Sequence, residues 1–285
     1  MKNSCERWGM VEMSDEAFPA AMKEGHMRTE KGAASSPVQP QARAAISCSL
    51  NRSLSRSHET QTAYVLHGRA YRETSLIVEL FGAECGRVSV VARGAKRPKS
   101  PLRGALLPFQ PLFAAWIGKS ELRTLTRAEA AGAPHDLKGA GLLCGFYLNE
   151  LLLKLLPKDD PHDVLFVCYS ETLRALRFDP DPAPALRKFE TRLLRETGYA
   201  LNLSNDTESG REIDPDLSYT YLPERGPVAL ARDDEGPAIK GKTLLDMRQD
   251  DYRDPVTLSQ AKLLMRFLIT HHLSGRTLNT RNLFK

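Results

Sequence analysis

Between residues 61 and 133 apolar and polar positions alternate in short runs, at 62–67, 75–81, 87–93, 112–117 and 121–127. A period of two marks a strand with one buried face, so five strands are expected. In the run from Arg87 to Arg93 that period sends Val88, Val90 and Ala92 to one face and Arg87, Ser89 and Arg93 to the other. Gly82 and Gly86 bracket a turn, and Pro98, Pro101, Pro108 and Pro111 break up the segment after the third strand. Five strands in about 70 residues suit an OB-type β-barrel.

Beyond Ala133 the period becomes helical. Leu142, Leu143, Phe146, Leu148, Leu151, Leu152, Leu155 and Leu156 cover so much of a helix circumference that this element must be central, and it ends at Pro157. A second helix is expected over 163–177 and a third over 184–197, stopped by Gly198. In the third, Leu186, Phe189, Leu193 and Leu194 form the apolar stripe, with Arg187, Lys188, Arg192 and Arg195 opposite. Residues 202–255 are polar and read as an irregular insertion with short strands near 217–222 and 228–231. Thr257-Leu-Ser-Gln260 has the form of a capping box and opens a last helix that Gly275 closes. Residues 1–60 lack an apolar period, contain a breaker-rich stretch over 32–41, and read as a disordered tail with Met10, Met13, Met22 and Met27 as later starts. The expected fold class is α+β: tail 1–60, five-stranded barrel 61–133, and a helical domain 134–285 carrying the insertion at 202–255.

Composition adds constraints. Hydrophobic residues make up 41% of the 285 and charged residues 26%, the ordinary range for a globular chain. No apolar run reaches the roughly 18–20 residues of a membrane span and the N-terminus lacks a signal-peptide core, so a cytoplasmic location is expected. The five cysteines (Cys5, Cys48, Cys85, Cys144, Cys168) include no CxxC pair, which leaves neither a disulfide framework nor a zinc ribbon. Cys144 and Cys168 read as core thiols. His271 and His272 project about 100° apart on a helix and do not suit joint metal ligation.

The net charge of +5 matters less than its placement. Residues 61–133 hold eleven basic residues against five acidic ones, and between Glu84 and Glu121 stand seven cations and no acid. Such a field favours a polyanion. Arg87, Arg93, Lys96, Arg97, Lys99 and Arg103 are the candidate phosphate contacts, against the plainer reading of a solubilising loop. Tyr71 and Arg72 fall between the first two strands, where OB barrels commonly engage nucleic acid, and Tyr71 serves either stacking on a base or packing. Gly94-Ala-Lys96 lacks the spacing of a phosphate-binding P-loop. No GxSxG, HExxH or paired-carboxylate pattern offers a nucleophile or base, so no enzyme activity and no cofactor are expected. Glu150, among leucines, calls for a nearby cation or helix end. The charge layout fits an OB-fold RNA-binding or ribosome-associated factor as well as a DNA-binding protein, and a metabolic enzyme with a basic anion site is a third class.

Several words in order carry a family resemblance: Ala63-Tyr-Val-Leu66, Tyr71-Arg-Glu73, Gly86-Arg87 and Ala92-Arg-Gly-Ala-Lys-Arg-Pro98 with Ser100. Further on come Tyr147, Glu150-Leu151, Phe189-Glu190, Leu193-Leu194, Gly198-Tyr199 and the closing segment 273–283. Over about residues 61–285 the chain resembles the RecO recombination mediators. The resemblance implies an OB-fold that binds single- and double-stranded DNA, anneals complementary strands and, with RecR, helps load RecA onto strands coated by single-strand-binding protein. It also implies a helical domain that receives the acidic C-terminal tail of that coating protein, with Arg187, Lys188, Arg192 and Arg195 as candidate contacts. The competing reading of those four is a solvated helix face. Many relatives hold a four-cysteine zinc site just after the Gly-Tyr pair. The matching stretch here, 201–221, has no cysteine, so no metal is carried over.

Overall fold

The structure is a computed structural model that describes residues 60–230 and 236–280. The expected tail, the end of the strand near 231 and the last residues of the closing segment lie outside the described residues. Strands β1 (Gln61–Tyr71), β2 (Ser75–Gly82), β3 (Gly86–Ala92), β4 (Pro111–Ile117) and β5 (Leu122–Ala130) close in the order β1-β2-β3-β5-β4. All pairings are antiparallel except β3 with β5, and a four-residue helix, α1 (Leu102–Ala105), links β3 to β4. This is the expected OB-type barrel.

The alternation explains how the barrel is used. Ala63, Val65, Val78, Leu80, Val88, Val90, Ala92, Leu112 and Ala114 fill its interior. Tyr64, Leu66 and Phe81 project the other way and are buried just as fully, in a second core shared with the helices. Over this stretch β1 and β2 therefore bury both faces, one against the barrel interior and one against helices. Ser89, which the period placed on an outer face with two cations, is buried there and donates to Glu79 Oε1 at 2.6 Å.

Helices α2 (Gly139–Leu155), α3 (Asp163–Phe178) and α4 (Ala183–Glu196) follow, with Leu148, Leu151, Leu152, Phe189, Leu193 and Leu194 fully buried. Asn149 ties α2 to the barrel: its amide donates to the Leu66 carbonyl at 2.9 Å, and its carbonyl accepts from the Tyr169 hydroxyl at 2.6 Å. Both chain polar groups thus reach partners inside a closed core. Glu150 finds a nearby cation and backbone donors from the closing segment. Its carboxylate accepts from the Asn279 and Thr280 amides at 2.8 and 2.9 Å and pairs with Lys154 at 3.1 Å. Burial pushes this carboxyl up, but those hydrogen bonds outweigh it and hold the group below its ordinary value.

The polar insertion is more regular than expected. β6 (Ser218–Leu222) pairs antiparallel with both β7 (Gly226–Ala229) and β8 (Ala238–Lys240), and α5 (Gly241–Arg248) follows. Tyr219, Tyr221, Ile239, Leu244 and Met247 join the helical core. The last helix, α6, spans Pro255–His272, and its N-cap is Asp254, whose side chain accepts from the Val256 amide at 3.1 Å. Thr257 is therefore not a capping residue. It lies inside the first turn, fully buried, donating to Asp246 at 2.6 Å, while Gln260 accepts from the Lys240 amide and the Thr243 hydroxyl. Asp-Pro is a competing start signal three residues earlier, and proline at the first helical position fits its missing N–H. Among the described residues no helix is long and apolar enough to cross a membrane.

Candidate nucleic-acid interface

Register places two loops at one end of the barrel. Tyr71 pairs with Ser75 at the β1–β2 turn, and Leu76, one residue on, pairs with Ala92 at the end of β3. The loops are also tied directly, because the Lys96 amide donates to the Thr74 carbonyl at 2.9 Å. Tyr71, Arg72 and the basic segment after β3 are thus neighbours, as one binding face requires. Arg72 adopts the left-handed conformation (φ 53°), and its guanidinium carbon lies 5.2 Å from the centre of the Tyr71 ring. That cation–π contact offers a planar cation and an aromatic ring together at the turn.

The basic segment is a folded cap. Gly94 (φ 70°) starts a chain of turns in which the Arg97 amide donates to Gly94, Ser100 to Arg97 and Arg103 to Ser100, at 3.0–3.2 Å. Ala95 is buried in the barrel core, and Leu102 and Leu106 pack against it. Arg93, Arg97 and Lys99 are exposed, while Lys96 and Arg103 are half-buried. Among the described residues none of these five, nor Arg72, takes part in a salt bridge, a set that also includes Arg69. Arg69 escaped the sequence reading because the first strand was ended at residue 67. β1 runs on to Tyr71, and Arg69, two residues earlier, shares the Tyr71 face.

Arg87 does not belong to this face. It sits at the opposite end of β3, half-buried, and its Nη1 donates to the Leu153 carbonyl at 2.8 Å near the C-terminus of α2. Its own carbonyl accepts from the Asp159 amide at 2.9 Å. A cation on unsatisfied helix carbonyls is a favourable end for a helix dipole, and it occupies the guanidinium. Nearby Arg123 pairs with Asp159 at 2.5 Å. Gly86 marks how tightly this end is packed: at φ +66° a side-chain carbon there would lie 1.8 Å from the Asp160 carbonyl oxygen.

The expected basic face of α4 also separates. Arg187 is buried, donating to Glu190 at 2.7 Å, and the same Glu190 oxygen accepts from the Tyr147 hydroxyl at 2.6 Å. It is an internal ion pair and cannot greet an incoming peptide. Arg192 is half-buried with Glu196 at 3.5 Å, leaving Lys188 and Arg195 exposed. Cys85 and Cys144 are held by burial at thiol pKa values of about 12 and about 11, so neither is a thiolate near neutrality. Among the described residues no group of three or more His, Cys, Asp or Glu is placed to hold a metal ion.

A closed barrel of OB connectivity with a cluster of cations at one end, followed by a helical half, defines a class of OB-barrel proteins. Two family models match in tandem: the N-terminal domain of recombination protein O over residues 36–134 and its C-terminal domain over residues 138–281. The chain is 53% identical over 229 residues to the DNA repair protein RecO of Nitrosospira multiformis, covering 80% of this chain and 95% of that one. It is 47% identical over 231 residues to the DNA repair protein RecO of an Azoarcus species, with the same coverage. Against that of Ralstonia nicotianae the identity is 50% over 225 residues, covering 78% and 82%. The chain belongs to the RecO family.

Proposed function

We propose that this protein is a DNA-binding recombination mediator in DNA repair, which anneals complementary strands and helps load a recombinase onto single-stranded DNA coated by single-strand-binding protein. The observation that carries the reading is the joining of Tyr71 and Arg72 to Arg93, Lys96, Arg97, Lys99 and Arg103 at one end of the barrel, with no carboxylate among the described residues paired to any of them. Cations fixed in this way gain affinity by releasing counterions from phosphates, and the Tyr71 ring with its guanidinium neighbour supplies a sequence-tolerant stacking surface. Every role here is a binding role, and none needs a bond to be made or broken. The names of the relatives agree with a repair function.

In this reading the division near residue 133 separates labour: the barrel holds single- or double-stranded DNA, and the helical half faces protein partners. Those partners are RecR and the acidic tail of single-strand-binding protein, with RecA reached indirectly. Lys188 and Arg195, with Arg192 at their edge, are the cations open to such a tail. The test is strand annealing on complementary DNA pre-coated with single-strand-binding protein. Acceleration over the coated control supports the mediator reading. Binding to RNA hairpins with no annealing of coated DNA would replace it with a ribosome-associated or RNA-binding role.

A further inference from the structure

The segment that follows Gly198-Tyr199 is where the family resemblance implies a metal, and its side chains do not suit one. From Leu201 to Leu230 it contains no cysteine and no histidine. In place of a ligand set there is one buried carboxylate, Asp206, 5% exposed. One oxygen, Oδ1, accepts from the Glu208 and Ser209 amides at 2.8 and 3.0 Å, and the other, Oδ2, accepts from the Ala229 amide at 3.1 Å. Both oxygens are therefore committed to backbone donors. A cation at this carboxylate would meet three N–H groups pointing the same way it does.

We infer that Asp206 is the keystone of a metal-free knuckle, in which a carboxylate gathering backbone amides does the cross-linking that zinc does between thiolates. The geometry matches what such a cross-link must join. Glu208 and Ser209 belong to the turn after Asp206, whereas Ala229 is the last residue of β7, more than twenty positions on, so one side chain spans the base of the subdomain. The surrounding bonds close the same loop. Asp206 N donates to Arg211, Gly210 N to Asp206, and the Thr207 amide and hydroxyl both donate to the Pro227 carbonyl, at 2.8–2.9 Å. Asn202 organises the entry, its side-chain Oδ1 accepting from the Ser204 and Asn205 amides at 3.1 and 3.2 Å.

Close approach of β7 to this turn depends on Gly226 (φ +114°), where a side-chain carbon would lie 3.2 Å from Thr207 Cγ2 and 3.3 Å from Asn202 Cβ. Leu203 and Ile213 then fasten the knuckle to the main core. The amide bonds hold the Asp206 carboxyl below the usual carboxylate value, as expected for a charge receiving several N–H donors. The chemical consequence is a subdomain with no thiolate to oxidise and no ion for a chelator to strip.

The test uses the full-length protein and two variants, Asp206→Ala and Asp206→Asn. Purified wild-type protein should contain no stoichiometric zinc by elemental analysis, and exhaustive chelation should leave its melting temperature unchanged. Asp206→Ala should lower the melting temperature by about 3–8 °C, since three backbone donors lose their acceptor. Amide hydrogen exchange should speed up by roughly tenfold or more at Glu208, Ser209 and Ala229 in Asp206→Ala and at Ala229 at least in Asp206→Asn, while Val88 and Val90 in the barrel keep their rates. Bound zinc whose removal lowers the melting temperature would overturn the inference, and so would unaltered exchange at those three amides. Should the alanine variant fail to fold, exchange in Asp206→Asn decides the matter alone, because asparagine keeps the shape and one acceptor oxygen but cannot satisfy all three amides.

Discussion

The two ends of the barrel carry the same kind of residue to opposite purposes. At the outer end Arg93, Lys96, Arg97 and Lys99 stand on a cap anchored by Ala95, with no acidic partner among the described residues. At the inner end Arg87 and Arg123 are joined to the helical half through the Leu153 carbonyl and Asp159. Arg87 is the second residue of the seven-residue strand β3, and Arg93 directly follows its last. What differs is the company. The inner end faces the C-terminus of α2, whose free carbonyls attract cations, whereas the outer end faces solvent. Charge density along a sequence therefore overstates a binding face whenever a helix end is packed against it.

The sharpest break of this contrast concerns a third kind of cation, Arg187, which is neither exposed nor at a barrel end. Replacing it with alanine leaves Glu190 buried with only part of its hydrogen bonding, so a loss of about 3–5 kcal/mol is expected, read by urea denaturation. Joint replacement Arg187→Met with Glu190→Leu should recover much of that loss, since no unpaired charge remains. A single variant as stable as wild type would mean that Arg187 is free after all. Next in size is the outer end. Changing Arg93, Lys96, Arg97 and Lys99 together to alanine should weaken DNA binding roughly 100-fold and reduce the slope of log affinity against log salt by about 3 to 4. The loss should be similar across DNA sequences. A folded variant with unchanged affinity and slope would remove the proposed face.

Much of this arrangement was readable in the sequence, and the parts that were not have a common cause. Val88, Val90 and Ala92 were assigned to the interior because a period of two is a local property, and the barrel follows from repeating it. The leucines of α2 announced a central helix in the same way. The fate of an individual cation is not local. Arg87 is engaged by a carbonyl 66 positions away, and Arg187 by a carboxylate within its own helix that also accepts from a hydroxyl of α2. α5 was missed because eight residues give barely two turns, too few for a period to show. The start of α6 was misplaced because two start signals lie three residues apart, and only the packing of Thr257 against Asp246 reveals which is used.

Arg87→Ala comes third. Removing a charged donor from helix-end carbonyls and opening a void at the barrel–helix junction should cost about 1–3 kcal/mol by denaturation. Affinity for DNA, measured where the variant is fully folded, should stay within about twofold, because nothing at the outer end has changed. A loss comparable to that of the outer cations would restore Arg87 to the binding face.

The smallest effect separates the two ends most cleanly. Arg123 pairs with Asp159 at 2.5 Å, but their side chains are 20% and 46% exposed, so water and salt screen the attraction. Exposed pairs of this kind are worth about 0.2–1 kcal/mol. A double-mutant cycle with Arg123→Ala and Asp159→Asn should therefore return a coupling energy of about 0.5 kcal/mol that shrinks as salt is raised. Binding to DNA is the discriminating arm. If the inner end is structural, neither variant alters the salt slope of DNA binding, although Arg123 carries the same charge as each outer cation. If Arg123→Ala reduces that slope by about one, a phosphate is being contacted there, and the division between the two ends of the barrel fails.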